Sequence, residues 1–374
     1  MVFFSETVQS ALTRTATPEN SRILPQKIKE LSIGRWGKEI VLLGHHLTFC
    51  EALQKLEQFA PSDEPVLITG ESGVGKELFA RALYLLSRRN SAPYVCVNCG
   101  RFDDENLMVS ELFGHTKGSF TGAVQNRQGI FESANDGMIL LDEIGELSLR
   151  AQKMLLRVID QKEIMPLGST KIRQIDIRII LATHRDLASM AEIGQFREDL
   201  FYRLNALHLH IPALRERGDD LSLLLQYYLN KLNETHGVDK QFSPEAITYL
   251  KQHAFPGNIR ELKNVVETCF RVCEGNMIQL NDITEKMQNR RRGDLLPIDI
   301  ADYYSRMVDK GESFWEVVRE PFMNRDLSRS QVQAIIQKGL HEAGSYKALS
   351  KLFNVQGKDF KKFLNFLHHN NLNP

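Results

Sequence analysis

The chain has 374 residues, with 47 basic and 47 acidic side chains and no net formal charge at pH 7. That length allows two or three domains and a substantial buried core, and the even balance excludes a generally basic nucleic-acid coat while leaving room for a local patch. No apolar run is long enough to span a bilayer, and Ser5 and Glu6 interrupt the apolar start Met1–Phe4 before a secretory segment can form.

The 5 cysteines, an odd number, suit a reducing cytoplasm. Cys96 and Cys99 form a C-x-x-C, but no second pair stands at zinc-ligand spacing, so all five are expected to be structural thiols.

In chain order, residues 1–38 mix Ser, Thr, Arg and Pro without sustained periodicity and are expected to be a short arm. From residue 39 short apolar runs alternate with helical patterns. The runs are Val66–Thr69, Tyr94–Val97, Met138–Leu141, Ile177–Ala182 and Leu207–Ile211, with helices such as Glu77–Ser87 and Leu149–Gln161 between them. Near-continuous apolar runs separated by helices predict an α/β fold over 39–211, a five-stranded mainly parallel sheet covered on both faces. After Pro212 the strands stop. Asp220–Asn233, Ser243–His253 and Asn258–Cys273 carry helical periodicity, which predicts an all-helical subdomain over 212–287. A charged stretch, Asn289–Asp294, opens a linker over 288–326 that includes an amphipathic helix at Ile298–Val318. The final segment, 327–374, offers three helices at Ser330–Ala343, Ser345–Phe353 and Lys358–Asn370.

Two stretches carry nucleotide chemistry. Gly70-Glu71-Ser72-Gly73-Val74-Gly75-Lys76 follows a strand and opens a helix, as a phosphate-binding loop must. Its backbone N–H groups and the helix N-terminus cradle phosphates, and Lys76 neutralises the outer ones. Glu77 stands where a Ser or Thr magnesium ligand is usual. Met138–Leu141 is an apolar strand that runs into Asp142 and Glu143. Asp142 is positioned to hold Mg²⁺ through its coordination shell and Glu143 to polarise a water, a division of labour that suits ATP hydrolysis.

A third stretch, Glu111–Ala123, reads E-L-F-G-H-T-K-G-S-F-T-G-A. Phe120 stands between Gly118 and Gly122, flanked by Ser119 and Thr121, so the backbone is permissive and the aromatic is not fixed by a strand or helix. Such a loop either tucks back on its own domain or presents its ring to a partner.

Together these motifs resemble the AAA+ activators of bacterial transcription that work on the sigma-54 form of RNA polymerase. The resemblance runs from about Val41 to Leu280. It also includes L-L-D-E-I-G-E-L at Leu140–Leu147, F-R-E-D-L-F-Y-R-L-N at Phe196–Asn205, L-R-E-R at Leu214–Arg217 and F-P-G-N-I-R-E-L-K-N at Phe255–Asn264. A glutamate after the phosphate-loop lysine is usual in that family. The resemblance implies an AAA+ core with a helical lid, ATP and Mg²⁺ as cofactors, and a ring oligomer, usually a hexamer. It implies that Asn98 is the switch that hydrogen-bonds Glu143, that Thr183 stands at the first sensor position, and that Arg260 is the second sensor. Arg197 and Arg203 become arginine fingers that reach a neighbouring subunit's ATP. The loop Gly118, Ser119, Phe120, Thr121, Gly122 and Ala123 becomes the sigma-54 contact. Two departures stand out: Ser119 replaces the usual alanine, and His184 replaces the usual asparagine after Thr183.

In the tail, Arg329, Lys338, Lys347, Lys351, Lys358, Lys361 and Lys362 outnumber Glu342 and Asp359. Apolar faces at Leu349, Leu352 and Phe353 and at Phe360, Phe363, Leu364 and Leu367 fit a C-terminal helix-turn-helix that binds upstream DNA. Lys358, Lys361, Lys362 and Asn365 are the expected contacts, with His368 and His369 as further polar candidates; the segment does not closely match the Fis type common in the family. Residues 1–38 leave no room for a regulatory module, so control in trans is expected, by a partner protein, by protein level or by pairing with a related activator. The reading is therefore an ATP-driven activator of the sigma-54 holoenzyme. The alternative is a DNA-binding regulator that uses ATP without touching sigma-54.

Overall fold

The computed structural model describes residues 20–102, 104–120, 123–284, 300–323, 327, 329–369 and 372. The chain divides into two units, one ending at Arg271 and one beginning at Val272.

The first unit begins with helices α1 (Asn20–Trp36) and α2 (Leu47–Phe59). An α/β succession follows: β1 (Val66–Thr69), α3 (Lys76–Leu86), β2 (Tyr94–Asn98), α4 (Glu105–Phe113), β3 (Met138–Asp142) and α5 (Leu149–Gln161), then β4 (Arg178–Thr183), α6 (Leu187–Glu192), α7 (Glu198–Leu204) and β5 (Leu207–His210). The five strands pair in the order β2-β3-β4-β1-β5, every neighbour parallel. Burial on both sides explains the near-unbroken apolar runs of the inner strands β1, β3 and β4, and alternate residues serve opposite faces. Ile139 and Leu141 join a core with Phe113, Phe131 and Leu155, whereas Met138 and Leu140 join one with Phe49, Phe79 and Leu83. The register places Asn98 beside Asp142, and Asp142 beside Ala182. One edge of the sheet therefore gathers the carboxyl ends of neighbouring strands, where ligands of open α/β sheets sit.

The strands and helices follow the predicted segments closely; the arm does not. α1 buries Leu24 and Ile28 in the core beneath α3, and Trp36 stacks on Tyr84 with ring centroids 5.7 Å apart. Its order comes from those tertiary contacts, which no local period announces. Caps start several helices as their sequences dictate: the side chains of Asp104, Ser148 and Ser243 accept from backbone N–H groups of α4, α5 and α9 (Pro244–Gln252). With α8 (Asp220–His236) and α10 (Asn258–Val272), α9 forms the helical subdomain after the sheet.

The second unit contains α11 (Ile300–Val308), a π-helical turn at Trp315–Arg319, α12 (Arg329–Ala343), α13 (Tyr346–Leu352) and α14 (Phe360–His369). The predicted continuous helix Ile298–Val318 is broken, with Gly311 left-handed at φ 71°. The segment expected as a linker supplies Tyr304, Met307, Phe314, Val317 and Val318 to the same core as Val332, Ile336, Leu349, Phe353 and Phe363. It is part of that unit rather than a tether to it. Gly339 on α12 lets α13 approach closely, because a β-carbon there would lie 2.5 Å from Leu349 and from the Phe353 ring.

Candidate nucleotide site and partner loop

The phosphate loop joins β1 to α3. Gly70, Gly73 and Gly75 all have positive φ, and a β-carbon on Gly73 would fall 2.3 Å from the carbonyl of Gly257. Only glycine allows this backbone. Val74 is buried behind the loop. Lys76 opens α3, is buried, and its Nζ donates to the carbonyls of Gly70 at 2.9 Å and Glu71 at 3.1 Å. Burial lowers the Lys76 pKa, opposed by the charges of Glu143 and Asp142. Glu77 faces Arg81 at 2.5 Å, one turn on, and so is engaged along its own helix.

The helical subdomain grips this loop. The guanidinium of Arg215 pairs with Glu71 at 2.8 and 2.5 Å, and the Asn258 amide donates to Glu71 Oε2 and the Ser72 carbonyl, both at 3.0 Å. The Arg215 contact, reinforced by Asn258, holds Glu71 down to about 2. Arg260 donates from Nη1 to Ser72 Oγ at 3.1 Å. The predicted second sensor therefore touches the phosphate loop. Deeper in, Arg217 and Asp220 form a fully buried pair at 3.1 Å. Arg217 also donates to the Leu43 carbonyl, and Asp220 accepts from the backbone N–H groups of His45 and His46. Burial pulls the Arg217 guanidinium below its ordinary value while Asp220 opposes the shift.

At the end of β3, burial and the neighbouring Glu143 raise the Asp142 pKa, against Lys76. Crowded like charges beside a buried ammonium fit a hard cation. Among the described residues no cluster of three or more His, Cys, Asp or Glu could hold a metal by itself, and Asp142 is the carboxylate here that could take part in holding one. Glu143 adopts a left-handed backbone, φ 54° and ψ 52°. Asn98 was expected on Glu143; instead its amide donates to Asp142 Oδ2 at 3.3 Å, and its carbonyl oxygen accepts from Gly100 N–H. The register explains this, because Asn98 and Asp142 are paired strand neighbours. Glu143 is held from the other side, by His184 Nδ1 at 2.6 Å. Thr183 is wholly buried at the end of β4, its hydroxyl accepting from Arg185 N–H. Arg197 and Arg203 lie on or beside α7 and are held by Asp199 and Asp160, at 2.6 and 2.9 Å, with substantial exposure.

The Glu111–Ala123 stretch leaves α4 through Gly114, which is left-handed, and His115 bridges to Arg127. The tip closes on itself: Gly118 N–H donates to the Ala123 carbonyl at 2.9 Å and Ala123 N–H to the Phe120 carbonyl at 3.0 Å. Phe120 is half-buried, edge-on to His115. Ser119 packs on Gly168, and its hydroxyl is buried without a hydrogen-bond partner among the described residues. Thr121 and Gly122 lie outside the described residues. In the second unit, Lys361, Lys362 and Asn365 are exposed on α14, and the Lys362 ammonium lies 4.9 Å from the Trp315 ring centroid. The side chains of Lys358, His368 and His369 lie outside the described residues.

Residues 42–210 match the sigma-54 interaction domain family and residues 215–295 the AAA+ ATPase lid domain family. The chain thus carries a sigma-54 interaction domain followed by an AAA+ ATPase lid domain. It is 43% identical over 282 residues to the regulatory protein AtoC of Escherichia coli, a match covering 75% of this chain and 60% of AtoC. It is 41% identical over 279 residues to the transcriptional regulatory protein ZraR of Salmonella typhimurium, covering 74% of this chain and 61% of ZraR. The chain thus spans about three fifths of these curated relatives. Among solved structures, NtrX of Brucella abortus in complex with ADP superposes with TM-score 0.62 at 26% identity, covering 93% of this chain and 71% of NtrX.

Motif reading singled out the phosphate loop, the two carboxylates and the lid arginine, which the structure places near one another. It missed the Glu143–His184 contact and the Arg217–Asp220 anchor. His184 differs from the family pattern, so the motif gave it no role, and Arg217 lay unassigned inside L-R-E-R.

Proposed function

We propose that this chain is an ATP-hydrolysing activator that remodels the sigma-54 RNA polymerase closed complex, acting in the cytoplasm as a ring oligomer bound to upstream DNA. The observation that carries this reading is the coexistence, in one subunit of the sigma-54 interaction family, of a built triphosphate site and a tucked Phe120 loop.

In this reading the phosphate-loop N–H groups receive the phosphates of ATP, and Lys76 exchanges the Gly70 and Glu71 carbonyls for phosphate oxygens. Asp142 would hold Mg²⁺, which when bound would supply positive charge against the phosphates. Glu143 orients and polarises the attacking water. Arg197 and Arg203 leave their carboxylate partners to reach the ATP of the adjoining subunit, in a ring of the hexameric kind usual for the family. Arg260, bonded to Ser72, couples the lid to the nucleotide. The loop Gly118, Ser119, Phe120, Thr121, Gly122 and Ala123 is then the part that engages sigma-54.

Exposed Lys361, Lys362 and Asn365 support a DNA-facing role for α14, with α13 and α14 as the helix-turn-helix. The test is open-complex formation by the sigma-54 holoenzyme on a promoter carrying this protein's upstream site. Wild type should open the promoter only with hydrolysable ATP, and Glu143→Ala should not open it. Opening without hydrolysable nucleotide would contradict the proposal.

A further inference from the structure

Strand β3 ends in two adjacent carboxylates, and each is held by a different neighbouring strand. On the β2 side the Asn98 amide is committed to Asp142 at 3.3 Å while its oxygen takes the Gly100 N–H. Beyond β4, His184 reaches Glu143 Oε2 with Nδ1 at 2.6 Å. Glu143 has a left-handed backbone, a conformation that a non-glycine residue keeps only when its surroundings hold it there. The imidazole is 44% exposed and the Glu143 side chain 22%, so this pair faces the site rather than the core. A packed polar residue would be hidden; this one is presented.

We infer that His184 is the positioning residue for Glu143, taking over from β4 the restraint that an asparagine on β2 was expected to supply. An imidazole that donates from Nδ1 occupies one carboxylate oxygen and fixes the plane of the group. The second oxygen is thereby left, in one orientation, for the attacking water. Asn98, in turn, positions Asp142. The division follows from the strand ends: Asn98 is the paired neighbour of Asp142, whereas on β4 Asp142 pairs with Ala182, and His184, two residues further on, reaches Glu143 through its side chain.

This inference rests on the proposal that Glu143 activates water, and its test separates the two. Steady-state ATPase is measured on the full chain for wild type, His184→Ala, His184→Asn and Asn98→Ala. His184→Ala should lower kcat by about ten- to a hundred-fold with KM within about two-fold, because only orientation of the base is lost. His184→Asn should recover most of the loss, since a carboxamide also donates. Asn98→Ala should instead raise the Mg²⁺ concentration needed, by about ten-fold. A second readout needs no nucleotide: imidazole ¹⁵N NMR should show His184 as the Nδ1–H tautomer in wild type and released from it in Glu143→Ala. Wild-type kcat in His184→Ala, a loss confined to KM, or a tautomer indifferent to Glu143→Ala would each overturn the inference. A wild type that binds ATP without hydrolysing it would sink the hydrolysis reading, and the NMR comparison alone would then decide whether His184 holds Glu143.

Discussion

The Phe120 ring meets the His115 imidazole edge-on, centroids 5.1 Å apart, and His115 Nδ1 in turn lies 2.6 Å from Ser110 Oγ on α4. An aromatic between glycines is thus held down by the element that precedes it. Beside it, Ser119 carries a hydroxyl that is buried with no partner among the described residues, against the backbone of Gly168. An unsatisfied buried hydroxyl costs about 1 kcal/mol or more. Ser119→Ala should therefore stabilise the tucked loop by about 1 kcal/mol, read as slower amide exchange over residues 116–120 with no loss of ATP binding. Faster exchange would mean that the hydroxyl finds a partner after all.

The buried Arg217–Asp220 pair ties the segment Leu43–His46, which leads into α2, to the first helix of the lid. Removing the carboxylate strands a guanidinium in the interior and frees two backbone N–H groups. Asp220→Ala should cost about 3–5 kcal/mol in urea unfolding, far more than the exposed Arg81→Ala. Similar losses for the two variants would refute the structural role given to this pair.

Acid should loosen the lid through Glu71. Its pKa is held at about 2 by Arg215, below the ordinary 4.5, so the paired form favours the folded state. A depressed carboxylate contributes fully above its ordinary value and loses that contribution as pH falls towards the folded value. Between pH 4.5 and 2, wild type should lose stability more steeply than Arg215→Ala, which lacks the principal cause of the shift. Parallel curves would remove Glu71 from the account. The pair is surface-exposed, so the difference should shrink in high salt.

Arg203 lies on α7, bound to Asp160 in its own subunit. If it completes a neighbour's site, Arg203→Ala should reduce ATPase by about 10³-fold or more. Mixing inactive Arg203→Ala with inactive Glu143→Ala subunits should restore turnover, because some interfaces then combine an intact Glu143 with an intact Arg203. No recovery on mixing, with mixed rings demonstrated, would place Arg203 outside the trans site.

Much of the fold was legible because its strands are buried on both faces, so Met138–Leu141 or Ile177–Ala182 could only be central strands. The phosphate loop was legible because its backbone demands glycine at fixed places. α1 was not, since Leu24, Ile28 and Trp36 acquire their meaning only against α3. Nor was the break at Gly311 within an otherwise amphipathic run. The Asn98 contact was misjudged for a similar reason: strand register, not motif, decides which carboxylate its amide meets. His184 was noticed as a departure, but its partner is 41 positions away and comes into reach only where β3 and β4 end side by side.

The central claim is that the nucleotide site drives the Phe120 loop against sigma-54, and one variant separates engine from contact. Phe120→Ala leaves every group around Lys76, Asp142 and Glu143 in place, so it should hydrolyse ATP at close to the wild-type rate. On a sigma-54 promoter with ATP it should form no open complexes. Normal open-complex formation by Phe120→Ala would contradict the account.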